Sequence, residues 1–506
     1  MPRRSPSLFS LFLTVALLFL LWAPLVQLGA RALVLATQNP SIWHENSPFF
    51  TASRSVLLST VELCVFSAIG ATLLGVPLGF CIARGPQWAR VLAAIGAALP
   101  LGVPPVILAA PFVSARGASE WALFYAALTL ALSFYPLVAL STGAALLALP
   151  RGEEEAALGF SSPFRAWFGI LGQRIAPAIW GGAGAVGALC AWEMGAPDLL
   201  GAPSFGMSVY RALNSPQILA PGESAARAWL SALPVPVLAL LFLLPAARAL
   251  RHFAGESGQN SRPVRGALWG ALVLVLSPGF ILWKMTRAFE SGAAAINTII
   301  ANNDALLNTL LTSTISATIS TFGALFFLVL WRHWPRFWRK LALILALLPG
   351  LSAPVVLGVA LIEFYNRAAF APLYDSSLGM IIIGHLARFF PFALALLWAP
   401  VSRLPADATF AAQNLGGSPL QTLFSIEIPL LKAALSATFA TIWALCAGEL
   451  TITVLVQGPG GAPLPLPIFN LLHAGLAADV AALCALLMAL CGGAMVIALL
   501  FARRKT

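Results

Sequence analysis

Charge is what this chain of 506 residues has least of: Asp, Glu, Lys and Arg together make up 9% of it, against roughly a quarter of an average soluble domain. Lysine is nearly missing. The four present, Lys284, Lys340, Lys432 and Lys505, follow no G-x-x-x-x-G-K-[ST] phosphate loop, so the chain has no means of hydrolysing ATP by itself. The five histidines, His44, His252, His333, His385 and His473, are scattered, and no H-E-x-x-H or G-x-S-x-G lies in an apolar run, which removes the usual patterns of an intramembrane hydrolase. The six cysteines, Cys64, Cys81, Cys190, Cys446, Cys484 and Cys491, include no C-x-x-C pair. They read as small core residues and not as disulfides or metal ligands. No catalytic, metal or cofactor site is expected.

What is there is apolar surface: 59% hydrophobic residues and a mean hydropathy of +0.89. A helix needs about 20 such residues to cross roughly 30 Å of hydrocarbon. Twelve runs qualify, at about 8–35, 56–83, 90–114, 121–148, 176–200, 228–250, 267–284, 306–331, 341–365, 378–401, 432–456 and 477–502; they are spans 1 to 12 below. The first follows a basic start and resembles a signal peptide, but its apolar run from Leu8 to Leu28 exceeds the usual 7–15 residues, and it is read as a span. The predicted class is an all-α polytopic membrane protein.

The net charge of +11 does not point to nucleic acid. With both termini on the cytoplasmic side, that side holds 20 of the 29 basic residues, the bias that orients membrane proteins. The reading is a multi-pass membrane protein whose arginines serve topology and lipid contact.

The chain also repeats itself. Pro105-Val106-Ile107-Leu108 returns as Pro354-Val355-Val356-Leu357, an offset of 354 − 105 = 249. Phe134-Tyr135-Pro136 returns as Phe389-Phe390-Pro391 at 255, and Ser162-Pro163 as Ser418-Pro419 at 256. Ala188-Leu189-Cys190-Ala191-Trp192-Glu193 returns as Ala444-Leu445-Cys446-Ala447-Gly448-Glu449, also at 256. Ordered matches with little drift predict two homologous halves, 1–250 and 267–506, joined by the polar, turn-rich linker 251–266. Six spans in each half give both the same orientation, so the repeat axis runs along the membrane normal.

Two longer connections, about 149–175 and 402–430, occupy equivalent places between the fourth and fifth span of each half. Each reads as a short helix, a glycine that stops it (Gly159, Gly416), and a second short helix capped by serine with proline in its first turn (Ser162-Pro163, Ser418-Pro419). Such a hairpin lies on the membrane face and presents a surface to a partner. From Gly416 the second continues with Ile426 and Pro429, ten and thirteen residues on; its first helix holds Phe410, Ala411 and Ala412, and the matching acid of the first hairpin is Glu153.

This spacing resembles the EAA loop of type I ABC importer permeases. Phe410 departs from the family's glutamate, and Glu154 and Glu155 replace its alanines. The resemblance implies that Glu153, Gly159, Ser162, Pro163, Phe410, Ala411, Ala412, Gly416, Ser418, Pro419, Ile426 and Pro429 couple the chain to two copies of a separate ATPase, and that a soluble binding protein delivers solute at the outer face. The stretch from Gly448-Glu449-Leu450 to His473 is similar to the fused permeases for ferric iron and thiamine. That implies ferric iron as cargo, with thiamine or another small solute such as a phosphonate as the alternative. A secondary transporter with two parallel six-helix repeats is the competing class, but it has no need of the repeated hairpin.

Four residues are candidates for the translocation pathway. Glu193 and Glu449 are repeat counterparts whose burial costs several kcal/mol unless they are paired or hydrated; solvation at the mouth or pairing with arginine is the plainer alternative. Pro105 and Pro354 break their spans and stand where a gate would form, or only shape packing. Glu62 and Arg388 lack charged counterparts in the other half, and His473 and Asp479 read as ordinary residues of the outer side.

Overall fold

A computed structural model describes residues 8–38, 54–115, 121–149, 151–162, 165–213, 283, 291–332, 334–375, 378–402, 404–405, 415–416, 418–459, 461–475 and 477–503. Within them the chain is mostly helical and contains no strand. Among the described residues seven helices are long and apolar enough to cross a membrane, and the pair Pro354–Tyr365 and Ala368–Asp375, bent by 101°, is so only when taken together. The protein is an all-α polytopic membrane protein. In lipid every backbone donor and acceptor must find a partner within the chain, and the helix satisfies this along a single segment. Ten of the twelve predicted spans lie in the described residues; spans 6 and 7 and the linker 251–266 lie outside them, apart from Trp283.

Both halves use the same break in their third span. Span 3 runs as Gln87–Leu101, stops, and restarts as Pro105–Ala109. Span 9 runs as Arg336–Leu347, passes through a 3-10 turn at Leu348–Leu351, and restarts at Pro354–Tyr365. The residue before each restarting proline is extended, Pro104 at φ −52° and ψ 134° and Ala353 at φ −56° and ψ 129°, because a following proline disfavours the helical region. Pro136 and Pro391 behave differently: each lies inside an unbroken helix, Ala122–Ala148 and Gly379–Ser402.

Spans 2 and 4 approach through small residues. A Cβ on Gly75 would stand 2.6 Å from Val138 Cβ, and one on Gly79 2.7 Å from Thr142 Cβ. This is the G-x-x-x-G spacing that lets helices touch along their backbones where no hydrophobic effect drives them together. The second half has Phe327 where Gly79 stands, 248 residues earlier, and fills the space with a T-shaped Phe327–Phe390 pair at 6.1 Å.

Span 1, Leu8–Gln38, packs against the second half although it opens the first. Trp22 Nε1 donates to Leu345 O at 2.7 Å, Trp331 Nε1 donates to Thr14 Oγ1 at 2.8 Å, and Arg31 pairs with Glu363 at 2.9 Å. The six cysteines are free and buried.

Candidate functional site: the interface between the halves and its two hairpins

Span 5 ends at Cys190 and a short helix follows at Gly195–Leu200; span 11 ends at Ala447 and a short helix follows at Thr451–Val456. Glu193 and Glu449 occupy the intervening turns. Each carboxylate accepts from the helix after it. Glu193 Oε1 takes the Gly195 N–H at 3.2 Å, while Glu449 takes the N–H groups of Ile452 and Thr453 at 3.0 Å and the Thr453 hydroxyl at 3.1 Å. Glu449 is 4% exposed and is also ion-paired with Arg388 of span 10 at 2.5 Å. Glu193 is half-buried and within electrostatic reach of both Arg388 and Glu449. Of the alternatives the sequence left open, pairing with arginine is what Glu449 does.

The break of each half packs on the end of the other half's fifth span. On one side Gly448 meets Gly102 so closely that a Cβ on Gly448 would stand 2.7 Å from the Gly102 carbonyl oxygen. On the other side the position of Gly448 is held by Trp192, 448 − 256 = 192, and the bulkier residue props the contact open. A cavity of about 50 Å³ results, lined by Ala188 and Trp192 of the first half and by Gly350, Ser352, Pro354 and Arg388 of the second. That is room for a few waters. Of the two candidate prolines, Pro354 borders this cavity; Pro105 restarts its helix against Gly195, where a Cβ would lie 3.1 Å from Val106 Cβ.

The first hairpin begins as the helix Arg151–Phe160. Gly159 is inside it and shows no positive φ, so the expected stop at Gly159 is corrected: the helix runs one residue further. The reason is spacing, since two residues separate Gly159 from Ser162 but only one separates Gly416 from Ser418. Ser162 Oγ accepts the Arg165 N–H at 3.4 Å. Glu153, singled out by its spacing, lies on the exposed side near Arg174 at 3.4 Å, whereas Glu154 is buried and bonded to Arg84 at 2.8 Å.

In the second hairpin Gly416 has φ +85°, a conformation that costs other residues a clash at Cβ; the helix it is expected to stop lies outside the described residues. Ser418 and Gln421 form a reciprocal capping box: the Ser418 hydroxyl accepts the Gln421 N–H at 3.2 Å, and the Gln421 side chain accepts the Ser418 N–H at 2.9 Å. Pro419 opens the helix behind this cap, and Pro429 lies in the first turn of Ile428–Ala447. Ile426 is half-buried in the turn between. Pro163, Phe410, Ala411 and Ala412 lie outside the described residues.

Two features here were not foreseen. Each hairpin joins its fifth span through a π-helical turn, Ala166–Leu171 and Leu423–Glu427, and such widened turns concentrate at functional sites. Each second span also ends in an arginine that grips this region: Arg84 holds Glu154, and Arg332, 248 residues later, holds Glu427 at 2.6 Å. The repeat offset carried the signal for the arginines, which topology alone had accounted for.

No family model matches the chain. It is similar to the putative 2-aminoethylphosphonate transport system permease protein of Salmonella paratyphi A, 30% identical over 144 residues, which are 28% of this chain and 53% of that protein. The counterpart in Salmonella typhi is 30% identical over the same length. The spermidine/putrescine transport system permease protein of Escherichia coli K12 is 26% identical over 262 residues, 48% of this chain and 96% of the relative. The chain thus spans about half the length of the phosphonate-system relatives it matches, while one whole polyamine-system relative aligns with about half of this chain. The fold is that of a multi-pass membrane protein, and the relatives are, by name, permease proteins of transport systems and not enzymes. None of these three is a ferric iron or thiamine permease by name, so the closer likeness expected from the Glu449–His473 stretch gains no support, nor does ferric iron as cargo.

Proposed function

We propose that this chain is the membrane-spanning subunit of an ATP-driven importer of the type I ABC class, with both permease halves fused in one polypeptide. The observation that carries this reading is the hairpin built twice between the fourth and fifth spans, each ending in a serine-capped helix and a π-helical turn. That nearly the whole of a relative matches about half of the chain supports two permease-sized halves. In this reading two ATPase copies grip the hairpins on the cytoplasmic face, where both termini lie, and a binding protein docks on the opposite face of the inner membrane. Glu193, Glu449, Pro105 and Pro354 then lie around the meeting of the halves, where a passage would open.

The cargo we propose is a small charged organic solute, a phosphonate before a polyamine, in place of ferric iron. Relatives at 30% identity belong to the phosphonate system, and among the described residues the one ionisable side chain on the cavity wall is a guanidinium. Co-purification tests the class. The chain should retain an ATPase subunit through its hairpins, and cysteines introduced at Ser257 and Gly460 should label from opposite faces. Labelling from one face, or a chain that carries solute with no ATPase, would assign it to the secondary transporters.

A further inference from the structure

We propose that Arg388 is a solute-contacting residue of the cavity between the halves, and that it selects a small zwitterion by taking its oxyanion group. The inference deepens the permease reading above and rests on it.

Arg388 is built to do more than hold Glu449. A guanidinium carries five N–H donors, and among the described residues Arg388 has a single hydrogen bond, Nη1 to Glu449 Oε1. Its side chain remains 18% exposed and forms part of the cavity wall. Glu449, for its part, does not depend on the arginine alone: two backbone N–H groups and the Thr453 hydroxyl also donate to its carboxylate. The pair can therefore loosen without leaving a buried carboxylate stripped of donors, the outcome that makes most buried ion pairs costly to break. An arriving oxyanion finds a fork-shaped donor suited to phosphonate, sulfonate or carboxylate.

The rest of the surroundings set the sign of the remaining charge. Glu193 lies within electrostatic reach of Arg388, next to Trp192 on the cavity wall. A solute with an acidic group at Arg388 and an ammonium group toward Glu193 matches both charges, whereas a polyamine offers nothing to the guanidinium. Repeat architecture does not demand an arginine at this place. Its counterpart, 388 − 255 = 133, is Ser133, buried in span 4. The guanidinium is thus supplied by one half only, on the side where the cavity lies.

The test uses the full chain in detergent with Ser352→Cys as a reporter on the cavity wall; the six native cysteines are buried. 2-Aminoethylphosphonate should slow labelling of the reporter by a small thiol reagent, and putrescine at equal concentration should not. Arg388→Gln should weaken protection by roughly tenfold or more, the scale of a lost charge-assisted hydrogen bond, and Arg388→Lys should recover part of it. Equal protection by putrescine, protection that survives Arg388→Gln, or no protection by either solute overturns the proposal. If Arg388→Gln fails to purify as a monodisperse species, the comparison of the two solutes on the Arg388 background still decides. No ATPase takes part, so failure here is distinct from failure of the importer reading, which rests on ATPase dependence.

Discussion

Arg84 and Glu154, 70 residues apart in the chain, meet at 2.8 Å in a buried pair that ties the end of span 2 to the first hairpin helix. The arginine also donates to the carbonyl of Leu146 at the end of span 4. Three segments are thus held at one guanidinium whose side chain is fully buried. Removing one partner of such a pair strands the other charge and costs about 3–5 kcal/mol. Glu154→Gln should therefore lower the thermal stability of the purified chain clearly, as read by fluorescence-detected gel filtration after heating. Glu153→Gln should not, since its pair with Arg174 is exposed on both sides and such pairs contribute little. Equal loss in both would mean that the first hairpin is not anchored through Glu154.

The two hairpin glycines should separate under substitution. Gly416→Val places a β-branched residue at φ +85°, a strain of about 1–3 kcal/mol, and should weaken retention of the ATPase subunit with the chain still inserted. Gly159→Ala should be neutral or mildly stabilising, since Gly159 is helical and a Cβ there meets nothing within 4 Å. The check is the amount of ATPase retained on affinity-purified chain. Equal loss in both variants would contradict the distinction.

Gly75→Leu should disrupt the first half more than Gly323→Leu disrupts the second. A Cβ at Gly75 already collides with Val138 Cβ and the Tyr135 carbonyl, at 2.6 and 2.8 Å, whereas at Gly323 the nearest atom is the ring edge of Phe390 at 3.2 Å. Overpacking of this kind costs about 1–3 kcal/mol or more. The midpoint of thermal unfolding in detergent is the measurement, and a larger drop for Gly323→Leu would go against the packing described.

Much of the architecture was legible because lipid leaves few choices: apolar length gave the spans, and the paired prolines at 105 and 354 gave the breaks. Hydropathy says how long a span is but not which neighbour it takes, so the packing of span 1 on the second half through Trp22 and Arg31 was invisible. Glu154 was missed because the spacing from glycine favoured Glu153, and only the helix phase shows which glutamate faces Arg84. Arg84, Arg332 and Arg388 were hidden by a sufficient explanation, since topology already accounted for the first two and the third had no charged counterpart. The π-helical turns have no sequence signature in so apolar a setting.

The most direct measurement is solute uptake by vesicles reconstituted with this chain, its ATPase and its binding protein, offered labelled 2-aminoethylphosphonate, putrescine, thiamine and ferric iron in parallel. The account predicts ATP-dependent accumulation of 2-aminoethylphosphonate, lost when ATP is omitted and reduced by Gly416→Val. Accumulation that proceeds without the ATPase would contradict it.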